Sequence, residues 1–218
     1  ISGQNSRTPS PEALMPYLFL FLFALTGQFS FAQQQIAIYW NGLAFELDST
    51  YLLNDSTALR ISQFKFYVQA DPKKGGQAIY LVDAAERSSW QWKKQHDVLQ
   101  IGVNAALQTS GVFNGALDPI NGMYWAWNTG FISVKCVGEI LELKNGRSQK
   151  FEFHLGGYQE PFACIATVIG SGSTLNCDLQ AWFSSILTSE VHEWHIMQPS
   201  QASKVLFDLF TASFRYDQ

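Results

Sequence analysis

Charged side chains are scarce in this sequence of 218 residues. Asp, Glu, Lys and Arg make up 15% of the chain, against about 25% in ordinary globular domains, and the formal net charge is −4. Adjacent basic residues occur only at Lys73-Lys74 and Lys93-Lys94. We therefore expect no nucleic-acid partner, because a phosphate-binding surface needs a basic patch.

Cysteine is also rare, and its spacing excludes a common class of metal site. The three cysteines are Cys136, Cys164 and Cys177, and no two of them form a C-x-x-C pair. A structural zinc site is therefore not expected. In an oxidising compartment Cys164 and Cys177 could pair and leave Cys136 as an odd thiol, but the sequence does not determine this connectivity.

Enzyme signatures are missing as well. The sequence has no G-x-S-x-G, no P-loop and no G-x-G-x-x-G, and the GSGS at 170–173 lacks the spacing and the Lys that cradle phosphate. His192 and His195 are three residues apart, whereas a zinc protease motif needs a spacing of four. We therefore predict that the chain is not an enzyme.

Aromatic residues, by contrast, are abundant. They make up 15% of the chain, including 17 Phe, and hydrophobic residues in total reach 47%. This composition is typical of a folded globular protein with a dense core, and the length is that of one domain or at most two.

The N-terminal part of the sequence resembles a targeting segment. Residues 15–32 read MPYLFLFLFALTGQFSFA, an apolar run too short to span a bilayer, and end in the small residues Ser30 and Ala32. We predict a cleaved signal peptide at 15–32, with 1–14 as upstream or added sequence and 33–218 as a single β domain. The mature chain would be periplasmic or secreted, with no membrane contact after cleavage. A retained membrane anchor is the alternative.

The mature part is mainly a series of short strand patterns separated by turns. Asn41-Gly42 and Asn145-Gly146 are hairpin turn signals, and the change of apolar parity near Ser62-Gln63 predicts a β-bulge. Apolar residues at helical spacing over 202–214, after Pro199, predict a terminal helix. We predict an all-β fold, an antiparallel sandwich or barrel of short strands with a C-terminal helix. The predicted strands are 35–40, 58–68, 78–83, 98–103, 130–138, 149–157 and 162–170.

The segment NGMYWAWNTG (121–130) concentrates aromatic residues between two turn signals. Met123, Trp125 and Trp127 would share one face of a strand and Tyr124 the other. Such a face can fill a core, stack on a sugar, or line a redox or metal site.

Histidine and methionine provide the candidate metal ligands. His154 lies on the polar face of the strand that buries Phe151, Phe153 and Leu155, where a plain surface His is the alternative. His192 and His195 could converge on one ion or remain exposed. The thioethers of Met123 and Met197 would suit copper(I), unless they only fill the core.

Several segments, in this order, resemble the MbnP-like family of periplasmic copper-binding proteins, in the branch found in Bacteroidetes-type bacteria. The resemblance covers nearly all of the mature chain, and the combination of GMYWAWNTGF with FHLGG is its most specific part. The segments are RISQFKFYV (60–68), YLVDA (80–84), LQIGVNA (99–105), GALDPINGMYWAWNTGFISVKCVG (115–138), FEFHLGGY (151–158) and HIMQPSQA (195–202).

This resemblance implies a secreted β domain that binds one copper ion through His side chains and a Trp oxidised to kynurenine. A di-haem partner similar to bacterial cytochrome c peroxidases would carry out that oxidation. His154 matches the family's HLG motif and is the best ligand candidate, followed by His195 and His192. Trp125 and Trp127 match the Trp-x-Trp element. The first strand, IAIYW, lacks the His that many relatives carry there.

A function of a different class, binding without a metal, is the alternative. The chain would then be a secreted binding module without a metal, in which an exposed Trp125 or Trp127 contacts a carbohydrate or protein ligand.

Overall fold

A computed structural model describes residues 34–70, 78–92, 98–111, 113–126, 128–170 and 172–217. These residues belong to one unit that spans 32–218. The predicted signal peptide, residues 1–14, the pair Lys73-Lys74 and Trp127 lie outside the described residues. Within the described part, no helix combines the length and the apolar character that a membrane crossing requires.

The smaller of two sheets has five strands and contains the strand predicted at 35–40. β1 lies near its centre and pairs in parallel with β12, while β14 pairs with β12, and β2 and β6 pair with β1. The strands are β1 (Gln34–Trp40), β2 (Leu43–Ala44), β6 (Gln91–Trp92), β12 (Thr174–Asp178) and β14 (Phe214–Tyr216).

The larger sheet has nine strands and curls into a half-barrel around the long β4. Its main order is β11-β7-β4-β9-β10-β13, with β3 and β5 beside β4 and β8 beside β9. The strands are β3 (Thr50–Asn54), β4 (Thr57–Ala70), β5 (Ala78–Asp83), β7 (Val98–Gly102), β8 (Tyr124–Ala126), β9 (Gly130–Glu142), β10 (Arg147–Gly156), β11 (Ile165–Ile169) and β13 (His195–Ile196).

The local turn predictions are confirmed. Asn41 and Gly42 have φ angles of 49° and 74° and close the β1–β2 hairpin, because both residue types tolerate this conformation. The register between β4 and β9 shifts between Ile61 and Gln63, at the predicted bulge.

The fold is mostly β, as predicted, but its sheets are mixed rather than wholly antiparallel. The pairs β1–β12 and β10–β13 are parallel. The predicted terminal helix is present as α3 (Gln201–Thr211), and the structure adds α1 (Ala105–Thr109) and α2 (Leu179–Thr188). The antiparallel prediction was too simple, because parallel partners lie far apart in the sequence and local patterns do not reveal them.

The main core lies between the two sheets and includes the buried faces of α2 and α3. Aromatic rings fill much of it, which accounts for the unusual composition. Its most deeply buried aromatic side chains are Phe45, Phe64, Phe66, Phe151, Phe153, Trp182, Phe183, Phe207 and Phe210.

The three cysteines are free thiols, and all are buried. The pairing of Cys164 with Cys177 that the sequence left open is not formed. Burial raises the pKa of Cys164 to about 12, so this thiol stays protonated and is a poor metal ligand.

Candidate functional site at Trp125 and His154

The strand β10 separates its side chains between two faces as the sequence predicts. Phe151, Phe153 and Leu155 are buried in the main core. Glu152 and His154 point to the other face of the sheet. His154 is nevertheless only 6% exposed, so it is not a surface residue. Alternation indicated its face of the sheet, but not that a distant segment covers that face.

His154 belongs to a row of four titratable side chains across the larger sheet. Asp83 on β5 pairs in register with Lys65 on β4 and forms an ion pair with it at 2.8 Å. Lys65 in turn pairs in register with Lys135 on β9, and Lys135 with His154. Side chains that pair in this way lie on one face, so the row presents a carboxylate, two ammonium groups and an imidazole to the segment that crosses it.

Segment 118–126, which contains the MYWA sequence, crosses this row. The Nζ atom of Lys65 donates to the carbonyl oxygen of Asn121 at 3.5 Å, and that of Lys135 to the carbonyl oxygen of Gly122 at 3.4 Å. Gly122 has a φ of 71°, which allows the chain to turn there into β8. The two lysines thus hold the backbone just before Trp125 over the sheet.

Trp125 makes the contact that defines the site. Its Nε1 donates a hydrogen bond to Nδ1 of His154 at 3.3 Å, and the two rings are tilted by 37° with centroids 6.5 Å apart. Because Nδ1 accepts this bond, the ring proton of neutral His154 is on Nε2. Trp125 is half-buried, because part of its side chain packs against a second apolar cluster. This cluster consists of Tyr67, Val103, Leu117, Met123, Phe131 and Ile132.

Glu152 approaches His154 from the opposite side of the ring. Its Oε1 lies 3.0 Å from Nε2 of His154. This Nε2 atom is buried, and the Glu152 carboxylate is its partner at hydrogen-bond distance, although the N–H is not well aligned with the oxygen. His154 is therefore contacted at both ring nitrogens, by Trp125 at Nδ1 and by Glu152 at Nε2.

The surroundings of His154 keep its imidazole neutral. Burial is the largest cause that lowers its pKa below 6.5, and the Lys135 ammonium acts in the same direction. Glu152 opposes both effects without overcoming them. A neutral imidazole is the form that accepts a proton or binds a metal ion.

This lowered pKa makes the stability of the fold depend on pH. An unfolded chain protonates His near pH 6.5, whereas the folded chain resists protonation of His154, so unfolding takes up a proton in this range. We expect the free energy of unfolding to fall as the pH drops from about 7 to about 5. Urea unfolding at several pH values measures this slope, and His154→Gln should flatten it. If the free energy of unfolding depends on pH as steeply in His154→Gln as in wild type, His154 is not the cause of this dependence.

The other two candidate histidines lie outside this pair. His195 is exposed and, on β13, pairs in register with Glu152, so both line one polar groove of about 480 Å³ with Arg60 and Lys150. His192 is exposed in the loop before β13. Within the described ranges, no three His, Cys, Asp or Glu side chains converge as a metal site. The donors at hand are therefore one imidazole and one carboxylate.

Of the two candidate methionines, one is buried and the other is exposed. Met123, on segment 118–126, is fully buried in the second apolar cluster, where it fills space. Met197 is 48% exposed near the start of α3. The sequence analysis missed Glu152 and Lys135, although the spacing of two between Glu152 and His154 on one strand was a usable signal.

Comparisons with known proteins agree with the order of motifs in the sequence. The family model described as MbnP matches residues 28–198. Among solved structures, MbnP from Methylosinus trichosporium is similar at 14% sequence identity, with a TM-score of 0.44, over 69% of this chain and 76% of that one. No curated protein matches the sequence significantly.

Proposed function

Because this chain belongs to the MbnP family, a family of binding proteins associated with copper handling, we propose that it binds one copper ion at His154. The ion would be bound beside Trp125 after that side chain has been oxidised to kynurenine. The protein would act in the periplasm or outside the cell, and it would be a binding protein rather than an enzyme.

The contact between Trp125 and His154 carries this proposal. It joins a Trp of the Trp-x-Trp element to the His of the HLG motif through nitrogen atoms 3.3 Å apart. The buried imidazole is held neutral, and the Nδ1 lone pair points at the indole. Imidazole nitrogen is a good copper ligand.

The donors of the unmodified chain fit copper only in part, since the described residues bring together one imidazole and one carboxylate. Oxidative cleavage of the bond between Cγ and Cδ1 of Trp125 would leave Cδ1 on Nε1 as a formyl group, and hydrolytic loss of that group as formate would leave Nε1 as an aromatic amine. That nitrogen starts next to His154 and would add a donor to the set. His195 and His192 are the proposed sources of a further imidazole, with His195 favoured because it lies in the same groove as Glu152.

A di-haem partner is the proposed oxidant, in keeping with the resemblance to MbnP.

The proposal is tested on protein purified from its native host and on protein produced without the partner. Intact mass and peptide mapping of the native protein should find a mass gain of the kynurenine type on Trp125. That form should bind one copper ion per chain, and the unmodified form should bind copper more weakly. Native protein with unmodified Trp residues, or oxidised protein that takes up no copper, would overturn the proposal.

A further inference from the structure

In the described part of the chain, four indole N–H groups donate to acceptors of two kinds. Those of Trp40, Trp90 and Trp182 donate to backbone carbonyl oxygens, those of Leu52, Asp83 and Leu206, at 3.3, 2.9 and 3.1 Å. Trp125 instead donates to an imidazole nitrogen. A carbonyl oxygen can accept a hydrogen bond but holds a proton very poorly, whereas imidazole is a good base.

This difference matters as soon as a Trp loses an electron. The indole radical cation is a strong N–H acid, and losing its proton makes electron removal much easier. An indole whose N–H faces a base can release the proton together with the electron. An indole that faces a peptide carbonyl cannot.

We propose that His154 is the proton acceptor that makes Trp125 the preferred site of oxidation in this chain, and that Glu152 positions and stabilises the charged His154. This inference deepens the proposed function, since it explains why Trp125 would be modified rather than Trp40, Trp90 or Trp182. It also assigns a purpose to the contact of 3.0 Å between Glu152 and Nε2 of His154, where no hydrogen bond is aligned.

The first oxidation step balances as follows. A one-electron oxidant of high potential removes one electron from the indole of Trp125 and is reduced by one electron. The bond between Nε1 and its hydrogen breaks, its electron pair stays on the indole nitrogen, and the proton moves to Nδ1 of His154. The products are a neutral indolyl radical and an imidazolium ion, which lies against the Glu152 carboxylate.

Two contacts favour this transfer, whereas the burial of His154 and the Lys135 ammonium oppose the charge that it creates. Nδ1 already carries no proton, because it accepts the indole hydrogen bond, so the transfer needs no change of tautomer. The Glu152 carboxylate lies 3.0 Å from Nε2 and stabilises the imidazolium, although its own side chain is 37% exposed and its charge is partly screened by water.

The test uses the metal-free, unmodified chain with photogenerated ruthenium(III) tris(bipyridine) as the oxidant. Peptide mapping gives the ratio of oxidation at Trp125 to oxidation at Trp194, which is also half-buried and serves as the internal reference. His154→Gln keeps a hydrogen-bond acceptor but removes the base, and it should lower this ratio at least about tenfold. A ratio within about twofold of wild type in a natively folded variant would overturn the proposal.

Transient absorption separates proton transfer from a merely structural role. Wild type should form the neutral indolyl radical at once and show a solvent deuterium isotope effect on its formation, whereas His154→Gln should show the radical cation. Glu152→Gln should lower the Trp125 preference several-fold, and Glu139→Gln, on the same face but paired with Arg60, should not. If His154→Gln does not fold, the wild-type spectrum and isotope effect decide, and their absence overturns the proposal.

These results are independent of copper. A chain that passes this test but binds no copper would overturn the proposed function and leave the proton transfer standing. If the chain binds copper through His154 but Trp125 is oxidised as fast in His154→Gln as in wild type, the proton-transfer proposal is overturned and the proposed function stands.

Discussion

Replacing His154 with alanine is expected to weaken copper binding at least about a hundredfold, which corresponds to about 2.7 kcal/mol of binding free energy. The loss should be this large because His154 provides the buried imidazole of the site, with its orientation fixed from both sides. Copper affinity is measured by competition with a chelator of known affinity, on protein that carries the oxidised Trp125. Wild-type affinity in a folded variant would show that the ion binds elsewhere.

Variants on the same strand and in the same groove control this experiment. Lys150→Ala shortens an exposed side chain on the same face of β10 and should leave the affinity within about twofold, because no donor is lost. His195→Ala should weaken binding less than His154→Ala, and His192→Ala least, since both side chains are exposed. A loss at His192 equal to that at His154 would place the ion in the loop before β13 instead.

The sequence predicted the local features of the site better than their assembly. Strand alternation placed His154 and Glu152 on one face of β10, and turn chemistry located the bend before β8. It did not reveal that Trp125, 29 residues earlier, would cover that face. The segment that carries Trp125 is held over this face by hydrogen bonds from Lys65 and Lys135. In a local sequence pattern these two residues look like ordinary solvated lysines.

The same limit explains the errors in fold class. The parallel pairing of β1 with β12 joins residues 139 positions apart, such as Gln35 and Thr174, and no local periodicity encodes such a pair. The helix α2 is different, because its signal was present. Asp178 caps its first turn, and its buried residues recur at helical spacing. These buried residues are Leu179, Trp182, Phe183 and Ile186.

Family resemblance contributed what the patterns could not. The ordered motifs identified the MbnP family, which the match over residues 28–198 confirms. Geometry then adds a distinction that the motifs do not carry, since it separates Trp125 from Trp40, Trp90 and Trp182 by the chemistry of its N–H acceptor. The proposed preference for Trp125 therefore depends on a hydrogen bond between β8 and β10.

The largest loss of stability is expected from Trp182→Ala, at about 3–5 kcal/mol. Trp182 is fully buried. Its ring lies within 6.4 Å, centroid to centroid, of rings on α2 and α3 and of rings on the strands β4 and β10 of the larger sheet. Its Nε1 also donates to the carbonyl oxygen of Leu206 at 3.1 Å, which ties α2 to α3. Alanine would leave a cavity where these elements meet. Urea unfolding followed by circular dichroism gives the change, and a loss under about 2 kcal/mol would show that the core collapses around the gap.

Trp182→Phe separates packing from hydrogen bonding at the same position. It keeps most of the ring but leaves the Leu206 carbonyl without its donor, so a smaller loss of about 1–3 kcal/mol is expected. This core lies on the face of β10 that carries Phe153, opposite the face of His154. Trp182→Phe should therefore lower stability and leave copper binding and Trp125 oxidation unchanged, because the sheet that carries the site is preserved. Loss of copper binding in a folded Trp182→Phe variant would mean that the position of His154 depends on the packing beneath the sheet and not only on its contacts with Trp125 and Glu152.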